Sequence, residues 1–130
     1  TDLNHGTQGY IEWCSILSNQ GQPNPYNNYN SAPVLINPVT DEVIYTPLYY
    51  LLSHFSKFIR PDARRIGLKG KEIEGLIYTA AKNTDGSIAI VVFNKNDEAL
   101  QLSLTLETNT FTTKIAPRAI QTIHLHSKQG

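Results

Sequence analysis

The sequence predicts a mainly β chain: an antiparallel β-sandwich over the second half, preceded by a strand, a long loop, a short hairpin and one helix. Three observations carry this. From residue 64 onward, short runs rich in Ile, Val, Leu and Thr recur between turn-forming residues, the pattern of an antiparallel sandwich. In one run Leu100, Leu102, Leu104 and Leu106 alternate with Gln101, Ser103 and Thr105, the period of a half-buried strand. Charge also divides the chain. No Lys or Arg precedes Lys57, so residues 1–56 hold four acids and no base, against eleven bases and seven acids in residues 57–130.

Taken in order, YIEWCSIL at residues 10–17 reads as a strand from its aromatic and β-branched content. Alternation sets Ile11, Trp13, Ser15 and Leu17 on one face, with Tyr10, Glu12, Cys14 and Ile16 on the other. Residues 18–33 form a loop broken by Gly21, Pro23, Pro25 and Pro33. A structureless connection of that length marks either function or disorder. Residues 34–37 and 42–45 flank PVTD and read as a hairpin or two short strands. The helix spans residues 47–59. Thr46 is its expected N-cap and Pro47 its first residue, where a missing N–H costs nothing. Leu48, Leu51, Leu52, Phe55, Phe58 and Ile59 make an apolar stripe, and Pro61 ends the run. Six strand candidates follow: RRIGLK, IEGLIYTAAK, SIAIVVFN, ALQLSLTLE, TFTTKIA and AIQTIHLHS. NTDG, NKND and APRA supply the turns, and SIAIVVF, apolar on both faces, belongs at a sheet centre.

A chain of 130 residues suffices for one domain with a core, and its zero net charge points to neither nucleic acid nor an anionic membrane. One cysteine, Cys14, excludes an internal disulfide and a cysteine-rich metal site. No apolar run is long enough to span a bilayer, and none has the layout of a signal peptide. The chain has no Met, which fits removal of an initiator before Thr1 and equally a piece of something longer.

Several residues carry chemistry in principle. His124 and His126 share a strand face at a spacing that can bind a metal, but no third ligand stands near, and a polar outer strand face explains them better. No metal or cofactor is expected. Cys14 reads as a small packed hydrophobe, Glu12 as a residue on the strand face opposite Trp13 rather than an acid–base group, and Glu72 with Glu74 as a solvated edge. The loop differs. Trp13, Tyr26 and Tyr29, with Asn24, Asn27, Asn28 and Asn30, are the aromatic faces and amides that bind neutral sugars. Composition equally allows a surface loop that caps a sheet.

Order decides more than composition. IEWCSILSNQGQPNPYNNYNSAPVLIN, then YTPLYYLLSHFSKFIRPDARRIGL, NTDGSIAIVVFNKND and IAPRAIQTIHL, resembles the C-terminal part of glycoside hydrolase family 30, nearest its glucosylceramidase-like members. The resemblance runs from about Gly9 nearly to the end. It implies a (β/α)8 TIM barrel with a β-sandwich packed on its side. Residues 1–60 would be the end of the barrel: last strand 10–17, active-site loop 18–33 and last helix 47–59. Residues 61–130 would be the sandwich. A remainder of the barrel outside this chain would be its packing partner.

The chemistry the resemblance implies is retaining hydrolysis of β-glucosides such as glucosylceramide, by two glutamates roughly 5–5.5 Å apart. Both would lie upstream of residue 1, so no catalytic residue is assigned here and the chain alone is expected to be inactive. Two substrate contacts carry over. Trp13 matches the tryptophan ending the last barrel strand and lining the sugar subsite; Asn28 matches an asparagine that bonds a sugar hydroxyl or orders the pocket. Cys14 replaces an asparagine and Pro25 a tryptophan common in relatives, which puts the pocket wall and the aglycone preference in doubt. A secreted, periplasmic or lysosomal-like location goes with the family. The alternatives are a β-1,6-glucanase of the same family and a non-catalytic sandwich that binds carbohydrate or scaffolds.

Overall fold

The computed structural model describes residues 2–26 and 29–126. After a 3-10 turn at Leu3–His5, strands β1 (Ile16–Ser18), β2 (Val34–Ile36) and β3 (Val43–Tyr45) form a small sheet in that order. β1 and β2 run parallel, which requires the long connection between them; β2 and β3 are antiparallel. The β2–β3 turn is organised by Asn37, whose side-chain oxygen accepts the Val39 N–H at 3.0 Å. Asp41 there has φ 57°, a left-handed conformation that Asp tolerates.

The first strand is shorter and later than the alternation of residues 10–17 predicts. Residues 9–15 hold no strand, and β1 begins at Ile16. Its partner explains this: β2 starts at Val34, whose N–H donates to the Ser15 carbonyl at 3.2 Å, so residues 10–14 have no ladder partner among the described residues. An extended segment without a ladder partner has nothing to hold it extended.

Helix α1 (Pro47–Ser56) begins where the sequence places it and ends three residues earlier. Thr46 occupies the N-cap position with extended backbone, but its hydroxyl does not cap the helix. It donates instead to the carbonyls of Ala32 and Pro33 at 3.1 and 3.0 Å, fastening the helix start to the end of the loop. None of the helix residues is buried, and Tyr49, Tyr50 and Leu51 are exposed, so only part of the apolar stripe finds a partner.

The second half matches the predicted sandwich strand for strand. β4 (Arg64–Ile66), β5 (Leu76–Lys82), β6 (Ile88–Asn94) and β9 (Ile120–Leu125) form one antiparallel sheet in the order β4-β5-β6-β9. β7 (Leu100–Leu106) and β8 (Asn109–Ile115) pair as a second sheet. Ala80, Ile90 and Val92 meet Leu102 and Ile115 in the core between the sheets. The turns stitch to one another through Asn94, fully buried, whose amide donates to the carbonyls of Glu98 and Ala116 at 2.7 and 3.0 Å. In the β5–β6 turn the Gly86 N–H donates to the Asn83 carbonyl and Gly86 takes φ 84°, the left-handed residue that closes this hairpin.

β6 lies inside its sheet, and its apolar second face has a physical reason. Ala89 pairs with Ala81 and His124, and Val91 with Thr79 and Thr122, so these residues share the face turned away from β7 and β8. On that face Asn4 of the 3-10 turn donates to the Tyr78 carbonyl at 2.8 Å and accepts from the Thr79 hydroxyl at 2.9 Å. His54 Nδ1 of α1 lies 2.9 Å from Thr122 Oγ1, and the Phe58 ring is 5.5 Å from His124. The N-terminal half thus covers the sheet, leaving Ala89 0% and Val91 3% exposed.

Candidate functional site

The loop after β1 is built by its own side chains. The Ser18 hydroxyl accepts the N–H groups of Gln20 and Gln22 at 3.3 and 3.1 Å, and the Ser18 N–H donates to the Gln22 carbonyl at 2.6 Å. The Gln22 side chain accepts the Asn24 N–H at 2.9 Å. Asn24 then donates to the Gly21 carbonyl at 2.6 Å and accepts the Tyr26 N–H at 3.1 Å. Such short-range bonds from Asn, Ser and Gln replace the ladder that an irregular segment lacks. Gly21 completes the loop with φ 79°, and a Cβ there would stand 2.5 Å from the Asn30 nitrogen. Only glycine fits both demands.

Exposed aromatic residues stand before β1 and within this loop. Trp13 is 84% exposed and Tyr26 83%, with Tyr10 and Tyr29 also exposed. Trp13 sits in a bend three residues before β1, not within the strand 10–17 that composition predicts. Its place is fixed from the side: Glu12 Oε1 accepts the Trp13 N–H at 3.1 Å, while Glu12 Oε2 accepts the Tyr10 hydroxyl at 2.6 Å. That hydrogen bond to Glu12, with slight desolvation and the charge of Glu12 behind it, raises the Tyr10 pKa above the ordinary phenol value. Cys14 packs against the small buried cluster of Leu17, Ala32 and Leu35, as a small hydrophobe does. Asn28 and Asn27 lie outside the described residues.

The remaining candidates separate from these aromatic residues. His124 is on the outer face of the larger sheet, but that face is covered: it lies half-buried under Phe58 with Nε2 buried and without a hydrogen-bond partner among the described residues. Its ring meets His126 edge to face at 4.2 Å. Among the described residues no group of three or more His, Cys, Asp or Glu side chains could hold a metal ion. Glu72 and Glu74 are exposed in the loop between β4 and β5. A concavity of about 230 Å³ lies at the seam of Asn4 with Arg65, Gly67, Tyr78 and Thr79, away from the exposed aromatic residues. Alternation missed the Glu12 link, because it set Glu12 and Trp13 on opposite faces of a strand that does not form. The Asn-rich spacing of the loop was the available signal for Asn24, since Asn bonds backbone two residues on.

The segment before β1 and the loop after it thus expose aromatic rings on either side of a short parallel strand pair. Residues 1–59 match the glycosyl hydrolase family 30 TIM-barrel domain, and residues 62–123 match the family 30 beta sandwich domain. The chain belongs to glycoside hydrolase family 30. Its first half is the end of the family 30 barrel and its second half the family 30 sandwich.

Among relatives, the lysosomal acid glucosylceramidase of Mus musculus is 32% identical over 104 residues, covering 80% of this chain and 20% of that protein. The glucuronoxylanase XynC of Bacillus subtilis is 32% identical over 73 residues, covering 56% of this chain and 17% of that protein. A solved endo-β1,6-glucanase superposes with a TM-score of 0.89 at 25% identity, covering 96% of this chain and 28% of its own. The chain therefore spans about a fifth to a quarter of the length of the family 30 proteins it matches.

Proposed function

We propose that this chain is the C-terminal portion of a retaining β-glycosidase that hydrolyses β-glucosides, glucosylceramide among them. In this reading residues 1–60 end the barrel and supply one wall of the sugar pocket, and residues 61–130 are the sandwich that braces it. Trp13 offers its indole face to the sugar ring, and Asn28 offers an amide to a hydroxyl. The two glutamates of the retaining route would be contributed by the rest of the barrel. They would act as acid–base and nucleophile, forming and then hydrolysing a glycosyl-enzyme. Residues 1–130 alone then lack the reacting pair. The packing partner of the exposed barrel-end residues is that same remainder.

The observation that supports this most is the exposed Trp13 just before β1, in a family 30 chain whose loop after β1 is rich in amides and ordered by its own bonds. A test compares the complete polypeptide with residues 1–130 alone on glucosylceramide. Turnover by the complete polypeptide, lost or much reduced in Trp13→Ala and absent from residues 1–130 alone, supports it. Turnover by residues 1–130 alone would sink it.

One observation favours a second specificity: the solved relative that overlays 96% of this chain is an endo-β1,6-glucanase. Faster hydrolysis of β-1,6-glucan than of glucosylceramide by the complete polypeptide would select that reading.

A further inference from the structure

We infer that Thr46 is a positioning residue for the loop at residues 18–33, tying it to a helix that the sandwich holds; this rests on the reading of that loop as one wall of a sugar pocket. Three hydrogen bonds make the tie. The Thr46 hydroxyl is shared between the carbonyls of Ala32 and Pro33 at 3.1 and 3.0 Å, and the Thr46 N–H donates to the Pro33 carbonyl at 2.9 Å.

The threonine is diverted from its usual task. At an N-cap its side-chain oxygen ordinarily accepts a helix N–H. Thr46 makes no such bond, so α1 starts without a side-chain cap while the hydroxyl serves the loop. Pro33 has no N–H, which leaves its carbonyl as its one backbone hydrogen-bonding group, and Thr46 engages that carbonyl twice.

The tie is internal to the chain. Ala32 is 0% exposed and Pro33 is buried, so these bonds need no segment outside residues 1–130. The same backbone arrangement also stands within a longer protein, since the solved endo-β1,6-glucanase overlays 96% of this chain with 28% of its own. The far side of the tie is fixed as well. His54 Nδ1 lies 2.9 Å from Thr122 Oγ1 of β9, and Asn83 bonds Phe58 and Arg60 just past the helix. From Ala32 the order passes back along the loop. Gly21 lies so near Asn30 that a Cβ would stand 2.5 Å from its nitrogen, which joins the loop's exit to its entry. Asn28 stands in the sequence between Gly21 and Ala32.

A valine at this position keeps the shape and the N–H but removes the hydroxyl, whereas a serine keeps the hydroxyl. In the complete polypeptide acting on an aryl β-glucoside, Thr46→Val is expected to raise KM about three- to tenfold with kcat within about twofold, the pattern of binding lost equally from ground and transition states. Thr46→Ser should stay within about twofold of the unsubstituted KM. Amide exchange of the complete polypeptide, read by mass spectrometry, should speed up in Thr46→Val at residues 19–33 and stay unchanged in β5 and β6.

An unchanged KM, or unchanged exchange in the loop, would overturn the inference. So would faster exchange spreading through β5 and β6, or a serine no better than the valine, since either makes Thr46 a residue of general stability. If the unsubstituted polypeptide hydrolyses no glycoside, the glycosidase reading falls separately. Exchange needs no substrate and then decides the tie alone: faster in the loop of Thr46→Val upholds it, and unchanged overturns it.

Discussion

Asn83, in the β5–β6 turn, takes hold of the chain two residues past the barrel helix, at Phe58. Its amide donates to the Phe58 carbonyl at 2.9 Å, and its oxygen accepts the Arg60 N–H at 3.0 Å. The same amide donates to the Ser87 hydroxyl at 2.9 Å, so one buried side chain serves both halves. Carbonyls at a helix end need such partners. The last turn is closed locally, the Lys57 and Ile59 N–H groups donating to the Ser53 and Phe55 carbonyls, and Asn83 fastens the chain just past the helix.

Asn83→Ala should therefore destabilise the chain by about 2–3 kcal/mol, leaving a carbonyl and an N–H unsatisfied at a buried joint. Urea unfolding reads the loss, and amide exchange at Phe58 to Arg60 should speed up with it. A change under about 0.5 kcal/mol would show that water replaces Asn83 without cost.

Ile115 is fully buried between the two sheets. Ile115→Ala should cost about 2–5 kcal/mol, the transfer and cavity terms together. Arg118→Ala, which breaks an exposed ion pair with Asp97 at 2.7 Å, should cost less than about 1 kcal/mol. The two variants compared by thermal unfolding rank packing against surface charge directly.

Asp85 gives a pH dependence. Hydrogen bonds from the Ser87 hydroxyl at 2.6 Å and the Ser87 N–H at 2.9 Å, aided by His124 and His126, lower its pKa below the ordinary 3.8. A carboxyl whose folded pKa is lowered stabilises the fold above its unfolded pKa, and that contribution disappears as pH falls through the folded value. The window is thus acidic, below about 3.8. In Ser87→Ala, an NMR titration should find the Asp85 carboxyl moved upward toward its ordinary value. An unmoved titration would mean the serine contributes nothing.

Gly21→Ala should open the loop. Its φ of 79° and the closeness of Asn30 leave no room for a side chain. The expected cost exceeds about 1 kcal/mol locally. It should show as faster amide exchange at Gly21 and Asn24 with little change in global unfolding.

The sandwich was legible because its signals are local: Leu100 to Leu106 alternate, and Asp85-Gly86 punctuates a hairpin. Helix α1 is legible at its start, from Thr46-Pro47, and less so at its end, where the apolar run continues to Ile59 but Phe58 and Arg60 are bonded by Asn83, distant in sequence. The segment around Trp13 was read wrongly in detail, since Tyr10 to Leu17 has strand composition but strand formation depends on a neighbour. The same dependence hid Glu12: alternation sent it away from Trp13, whereas the irregular backbone folds its carboxylate back onto the adjacent N–H. His124 takes the outer face that alternation assigns it, but periodicity does not say that Phe58 covers that face.

Ala89 and Val91 turn that covered face into a rule about where this chain can be divided. They are sealed by residues from the other side of the boundary that family 30 draws between barrel and sandwich, residues 59 and 62. Cutting there would bare a strip of alanine, valine and threonine along the middle of the larger sheet. Two modules distinct by ancestry are, in solvation terms, a single body, and a sandwich expressed without its barrel helix should be sticky rather than merely inactive.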